Sequence, residues 1–320
     1  MRVLITGIRG SGGRYMADYL CNETESEVYG LARWRTAQLQ SGACQKIKIF
    51  ECDLTDLSSV IRSLEQINPD LIINLASHAN VRAAFDTPLS VLQNNVMSTA
   101  NLFEAVRLTQ TEPKILHCST SEVYGQVSEH NVPISEECPI NPSSPYAVSK
   151  VAQDFLASTY WKSFGIKVVR TRMFTYFNPR RSDLFATAFA MQVARIEHGL
   201  QSELLHGNLD SIRTMIDVRD CMEAYWLAAT LGEPGEVYNI GGETSISVGD
   251  FLETLKTYAL KEIPCRLDAK LLRPTDVTLQ IPDVSKFKLL TGWSPKYSFD
   301  ESVKHLLDEC REQVRSQISL

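Results

Sequence analysis

Tyr146 and Lys150 stand four residues apart in Pro145-Tyr146-Ala147-Val148-Ser149-Lys150, the spacing that places two side chains on one helix face. An ammonium beside a phenol favours the phenolate and lowers the phenol from its ordinary value of about 10. Such a pair can act as a base that removes a hydroxyl proton while hydride leaves the same carbon. Upstream lies Ser119-Thr120-Ser121-Glu122-Val123-Tyr124-Gly125. A hydroxyl at Thr120 or Ser121 can bond the oxygen that Tyr146 deprotonates. Glu122 adds a carboxylate, which hydride transfer alone does not need, and so points to a second proton transfer at a neighbouring carbon. The plainer alternatives are a chance Tyr-x-x-x-Lys spacing and a Glu122 that merely favours a helix start.

These residues need a frame, and the chain supplies an alternating one. Apolar runs at Arg2–Thr6, Val28–Ala32, Ile47–Phe50, Leu71–Leu75, Ile115–Ser119 and Ile166–Arg172 read as strands. Helical patterns at Gly12–Cys21, Asp56–Ile67, Asn95–Leu108 and Val148–Phe164 fall between them. Continuous apolar strands separated by amphipathic helices predict an α/β fold with a doubly wound parallel sheet covered on both faces. Past residue 173 the rhythm loosens. Helices are expected at Phe185–His198, Val218–Leu231, Val248–Ala259 and Phe299–Gln313. The expected division is a dinucleotide-binding domain over 1–173, with 217–240 returning to it, and a smaller C-terminal substrate-binding lobe over 174–320.

The turn after the first strand is Gly7-Ile8-Arg9-Gly10-Ser11-Gly12-Gly13. Glycines at 7, 10 and 13 keep it tight and let backbone approach a pyrophosphate at the helix N-terminus, with Ser11 beside them. Alone the pattern could be a loop; strand before and helix after make it a dinucleotide site. The second strand ends Gly30-Leu31-Ala32-Arg33-Trp34-Arg35. Ala32 stands where a carboxylate would hold an NAD ribose, and the guanidinium groups of Arg33 and Arg35 suit a 2′-phosphate, so NADP is the expected cofactor. Both arginines could instead be solvated surface residues. Asp53 and Leu54 are placed near the adenine, although Asp53 could equally cap the next helix. Leu75, ending its strand, is also expected against the cofactor.

A formal charge of −6 argues against nucleic acid as a partner. No apolar run approaches the roughly 18 residues a membrane span requires. The chain enters its first strand at once, without a signal-peptide pattern. Eight scattered cysteines with no Cys-x-x-Cys pair read as core residues of a reducing compartment, and neither they nor the six histidines have metal-ligand spacing. A cytoplasmic enzyme without metal is the expectation. Apolar residues on Asn95–Leu108 and Val148–Phe164 are wider than one sheet-facing stripe needs, which suggests a homodimer.

Together Gly7/Gly10/Gly13, Thr120-Ser121-Glu122 and Tyr146/Lys150 resemble the extended short-chain dehydrogenase/reductase family along essentially the whole chain. The second half is most similar to enzymes of GDP-mannose conversion, through Asn178-Pro179-Arg180-Arg181, Gly207-Asn208-Leu209-Asp210-Ser211-Ile212-Arg213 and Leu272-Arg273-Pro274-Thr275-Asp276-Val277. The resemblance implies a Rossmann-type fold and a GDP-sugar substrate. It also implies substrate contacts at Asn178, Arg180 and Asn208, with Arg213 and Arg273 on the diphosphate–nucleoside part and Asp276 on the ribose. It implies GDP-mannose 4,6-dehydration by internal hydride transfer through bound NADP; the alternative is reduction of GDP-4-keto-6-deoxymannose. Thr120 matches the dehydratases, whereas Val218-Arg219-Asp220 and Ala224-Tyr225-Trp226 look more like the reductase. The chain departs from the dehydratase pattern at Arg9, at Thr175 where a substrate-contacting Asn is expected, and at Thr214-Met215.

Overall fold

In the computed structural model of the protein, the structure describes residues 1–33, 47–272 and 276–318. The first part of the chain runs β1 (Arg2–Thr6), α1 (Ser11–Glu23), β2 (Glu27–Ala32), β3 (Lys48–Glu51), α2 (Leu57–Ile67), β4 (Leu71–Asn74), α3 (Ala83–Asp86), α4 (Pro88–Thr109), β5 (Lys114–Thr120), α5 (Pro145–Phe164) and β6 (Val168–Met173). It continues through β7 (Tyr176–Phe177), α6 (Phe185–Glu197), β8 (Leu204–His206), β9 (Ile212–Asp217), α7 (Val218–Leu231), β10 (Val237–Ile240), β11 (Thr244–Ser247) and α8 (Val248–Thr257). The remainder is β12 (Cys265–Leu267), β13 (Leu279–Gln280), α9 (Ser285–Thr291) and α10 (Phe299–Ile318).

A seven-stranded sheet in the order β10-β6-β5-β4-β1-β2-β3 forms the centre, and every pairing in it is parallel. Side chains alternate across its two faces. Val3 and Ile5 of β1 pack with residues of α1 and α7, whereas Leu4, Ile72 and Ile115 pack with residues of α2 and α4. All five are fully buried, which explains why these strands are apolar throughout rather than alternating. The order reverses between β1 and β4, and ligands of such sheets bind beyond the strand ends at that point.

A second cluster gathers Phe189 of α6, Phe251 of α8 and Val303 and Leu307 of α10 around Met215 of β9. There β11, β9 and β13 form a small sheet, with β7 also paired to β9.

The differences from expectation have local causes. Helix α5 begins at Pro145, three residues earlier than its periodicity indicates: Ser144 Oγ caps it by accepting from Ala147 N, and Pro145 occupies the first turn, where its missing N–H costs nothing. Helix α4 likewise begins at Pro88 rather than Asn95, with the proline again in the first turn. Helix α9 has too short a pattern to be anticipated. Its Phe287, with Trp293 beyond it, packs into the core around the large sheet, not into the second cluster. The cap of α2 is Asp56, which accepts from Ser58 N; Asp53 instead accepts from the backbone and hydroxyl of Thr55.

Candidate active site

A cavity of about 550 Å³ opens beyond the carboxyl ends of β1, β4 and β5 and runs toward β9 and β13. Gly7 and Leu75, which directly follow β1 and β4, both line it. Gly7 has φ +69°, and a Cβ there would meet the Ala76 backbone at 2.9 Å. A Cβ on Gly13 would come within 2.2 Å of the Gly7 carbonyl oxygen. The turn is therefore closed to side chains, and helix α1 starts against it at Gly10 with no side-chain cap. Its first-turn N–H groups, at Ser11, Gly12 and Gly13, are left for an anion. Thr6 Oγ1 donates to Asn74 Oδ1 at 2.6 Å, and Asn74 Nδ2 donates to His117 Nδ1 at 3.1 Å, tying β1, β4 and β5 together. Burial holds that imidazole neutral, its value pushed down to about 3.

Lys150 and Tyr146 follow one another along the same face of α5, and both reach the cavity. Lys150 Nζ donates to the Cys118 carbonyl oxygen at 2.8 Å, and burial brings its value down to about 8. Tyr146 corrects a sequence expectation. Burial pushes its phenol up to about 12, whereas the amino-acid spacing predicts a lowered value. Desolvation of the phenolate outweighs the charges that favour it, of which Arg181 is the strongest; Glu122 and Tyr176 oppose ionisation. The neighbouring Thr120 hydroxyl favours the phenolate.

Thr120 ends β5 and caps a short 3-10 turn, Ser121–Tyr124, by accepting from Glu122 N at 3.3 Å. This turn, and not an α-helix, presents Glu122 to the cavity. Ser121 is nearly buried and donates to Gln280 Oε1 at 3.1 Å. The structure thus gathers Thr120, Ser121, Glu122, Tyr146 and Lys150 at one end of the cavity.

At the other end, Asn208 Nδ2 donates to Asp276 Oδ2 at 3.0 Å and Ser211 Oγ donates to the same oxygen at 3.2 Å. Arg213 is braced against the carbonyl oxygens of Ile212 and Val277. All four residues line the cavity.

Other predicted residues fall elsewhere. Arg180 turns away from the cavity: its guanidinium pairs with Asp18 at 3.1 Å and lies over the Tyr15 ring. The cause is the turn at Asn178, whose Oδ1 accepts from Arg180 N and whose side chain is itself buried outside the cavity. The adjacent Arg181 points inward, donating to the Ala79 carbonyl oxygen at 2.6 Å and bidentately to Asp183. Arg33 and Asp53 lie beyond the cavity lining, close enough for Arg33 to help hold the Asp53 carboxyl below its ordinary value, after the stronger effect of Thr55. Leu54 is buried beneath them, its carbonyl oxygen accepting from Asn101. Arg35 and Arg273 lie outside the described residues. Among those described, no group of three His, Cys, Asp or Glu residues is gathered for a metal, and no helix is long and apolar enough to cross a membrane.

The parallel sheet, the glycine turn and the Tyr146/Lys150 pair together define an enzyme of the extended short-chain dehydrogenase/reductase class. Within it, the chain belongs to the family described as GDP-mannose 4,6 dehydratase, which it matches over residues 4–306. It is 32% identical to GDP-6-deoxy-D-mannose reductase of Pseudomonas aeruginosa, covering 99% of both chains. It is 31% identical to GDP-mannose 4,6 dehydratase 1 of Arabidopsis thaliana, covering 98% of this chain and 91% of that one. Among solved structures it resembles RMD of Pseudomonas aeruginosa complexed with NADPH, with a TM-score of 0.83 at 28% identity, covering 98% and 99% of the two chains. UDP-glucose 4-epimerase of Thermus thermophilus complexed with NAD gives a TM-score of 0.85 at 27% identity, covering 97% and 99%.

Proposed function

We propose that the protein is a GDP-mannose 4,6-dehydratase that works through bound NADP. The observation that carries this reading is Glu122, a carboxylate in the same cavity wall as Tyr146 and close enough to oppose its ionisation. A reaction limited to hydride transfer at one carbon would have no use for it.

The residues present fit such a cofactor. The uncapped first turn of α1, with Gly7, Gly10, Ser11 and Gly13, would take the pyrophosphate. Arg33 and Arg35 would take the 2′-phosphate, Asp53 and Leu54 the adenine, and Leu75, Tyr146 and Lys150 the nicotinamide half. Ser77 and Ser119 also line the cavity, each with a buried hydroxyl that has no partner among the described residues. Bound in its oxidised form, the cofactor supplies a hydride acceptor that later returns hydride, and a positive ring whose attraction favours the Tyr146 phenolate.

Tyr146 would take the proton of the sugar C4 hydroxyl, with Thr120 holding that oxygen and Ser121 beside it. The ketone formed at C4 acidifies C5. Glu122 would remove the C5 proton and pass a proton to the C6 hydroxyl, which departs as water and leaves a C5–C6 double bond; as hydride comes back to C6, Tyr146 would return its proton to C5. Lys150, charged below about pH 8, would fix the ribose and keep a cation near the phenol. Asn208, Arg213, Arg273 and Asp276 would hold the GDP part. Asn178 and Arg180 would contribute by shaping the turn that sends Arg181 inward.

A second reading, the NADPH-dependent 4-reductase of GDP-4-keto-6-deoxymannose, is favoured by the end-to-end match to the Pseudomonas reductase. One assay separates them. Purified protein receives GDP-mannose without added cofactor, and the nucleotide sugar is weighed by mass spectrometry. Loss of one water supports the dehydratase. Unchanged GDP-mannose, with NADPH consumed on the 4-keto sugar, supports the reductase. In a dehydratase, Glu122→Gln abolishes water loss while hydride still exchanges.

We also infer a cytoplasmic homodimer, with a dinucleotide-binding part over 1–173 and 217–240, joined by α9, and a substrate-binding part over the rest of 174–320. The surface that supports the dimer is an apolar stripe, Met97 on α4 with Val148 and Phe155 on α5, each about half exposed.

A further inference from the structure

The cavity contains a polar group that neither the cofactor contacts nor the proton transfers employ. Gln280 ends β13 and is almost fully buried. Its Oε1 accepts the Ser121 hydroxyl proton, while its Nε2 has no partner among the described residues. A buried amide nitrogen left unbonded is costly, and native proteins keep such groups where a ligand or water completes them.

The position says which ligand atom would do so. Strand β13 runs parallel to β9 with Gln280 in register with Arg213, and both side chains line the cavity. On its other side Gln280 is bonded to Ser121, the residue before Glu122. A hexose joined to a diphosphate must span from the guanidinium that holds the phosphates to the phenol and carboxylate that work on its ring. Gln280 faces that gap. Its backbone is also fixed there. Gln126 and Thr278 exchange two hydrogen bonds of 2.9 Å, and Ile134 N donates to the Ile281 carbonyl oxygen at 2.8 Å. A donor held this firmly loses little freedom on binding.

We propose that Gln280 is a specificity-determining residue whose Nε2 donates to a hydroxyl oxygen of the substrate's hexosyl group. The inference rests on the nucleotide-sugar reading above, with GDP-mannose as the substrate. Because Ser121 commits its proton to Gln280, Ser121 offers the sugar only lone pairs, and Gln280 is the donor of the two.

The test uses the full chain with Tyr146→Phe to stop turnover, and measures calorimetric affinities for GDP-mannose and for GDP. Gln280→Met keeps the length but removes both polar atoms; Gln280→Glu keeps an acceptor for Ser121 and removes the donor. Both variants should bind GDP-mannose about tenfold or more weakly, and Gln280→Met should bind GDP as the parent does. An unchanged GDP-mannose affinity in Gln280→Glu would reduce Gln280 to a tether for Ser121 and overturn the proposal. So would equal losses for GDP and GDP-mannose in Gln280→Met. If Gln280→Met does not fold, Gln280→Glu decides alone. Failure of the parent to bind either ligand overturns the nucleotide-sugar reading and this inference with it.

Discussion

Lys150 Nζ and the Cys118 carbonyl oxygen are 2.8 Å apart, so the lysine of the proposed catalytic pair is anchored near the end of β5. This bond holds a cation that the surroundings disfavour. The folded value of about 8 against the ordinary 10.5 corresponds to about 3 kcal/mol. Because the folded value is depressed, the lysine's contribution to stability is full above pH 10.5 and is lost as pH falls through about 8. At pH 7 the wild type therefore carries a buried charge that Lys150→Met removes. The variant should lose activity at least about a hundredfold. After allowing for the lost hydrogen bond, it should melt about 2–5 °C higher at pH 7, with the gain shrinking toward pH 10.5. Melting curves of both proteins across that range check the prediction.

Arg181 is the protein charge that most favours the Tyr146 phenolate. Replacing it with Gln leaves burial less opposed, and the phenol rises further. The acid limb of the kcat/KM profile should move to higher pH, with the rate at pH 7 falling about 3- to 10-fold. An unmoved limb would remove Arg181 from the chemistry.

Asp154 is fully buried on α5 and pairs with Arg170 at 2.9 Å and Arg172 at 3.0 Å. Despite burial, the guanidinium of Arg172 and then that of Arg170 hold its carboxyl below the ordinary 3.8. Asp154→Asn leaves the buried Arg172 without a counter-charge and should cost about 3–5 kcal/mol, read from the urea midpoint. The depressed value means that the contribution is present above about pH 4 and is lost below it. The two proteins should therefore converge in stability on acidification.

Phe155 lies one heptad after Val148 on the exposed face of α5. Phe155→Glu should shift the protein from dimer to monomer in analytical ultracentrifugation. A wild type that sediments as a monomer removes the proposed interface.

Much of the frame was legible because its signals are local. Leu4, Ile72 and Ile115 sit in runs that no solvated strand would carry, and Gly7, Gly10 and Gly13 announce a turn by spacing alone. Tyr146 and Lys150 needed only the helical period. Arg180 and Arg181 were not separable in this way, since neighbouring residues of one turn face opposite directions and the hydrogen bond at Asn178 decides which. Gln280 was missed altogether: its partner Ser121 is far away in sequence, and nothing in a two-residue strand marks a ligand-facing amide. For Tyr146, spacing reveals a nearby ammonium but not the depth of burial that raises the phenol.

The seventh strand of the central sheet, β10, joins beside β6 only after some sixty residues spent elsewhere, between Met173 and Val237. The large sheet is thus not finished when its first six strands exist. During synthesis, β6 would emerge with an open hydrogen-bonding edge and wait for the intervening β7 to α7 segment before being covered. A fragment ending at residue 173 would keep that edge permanently bare and should aggregate, whereas a chain ending after Ile240 would not leave it uncovered. The β7 to α7 segment is therefore a detour within the sheet's own assembly rather than an attachment to a completed unit.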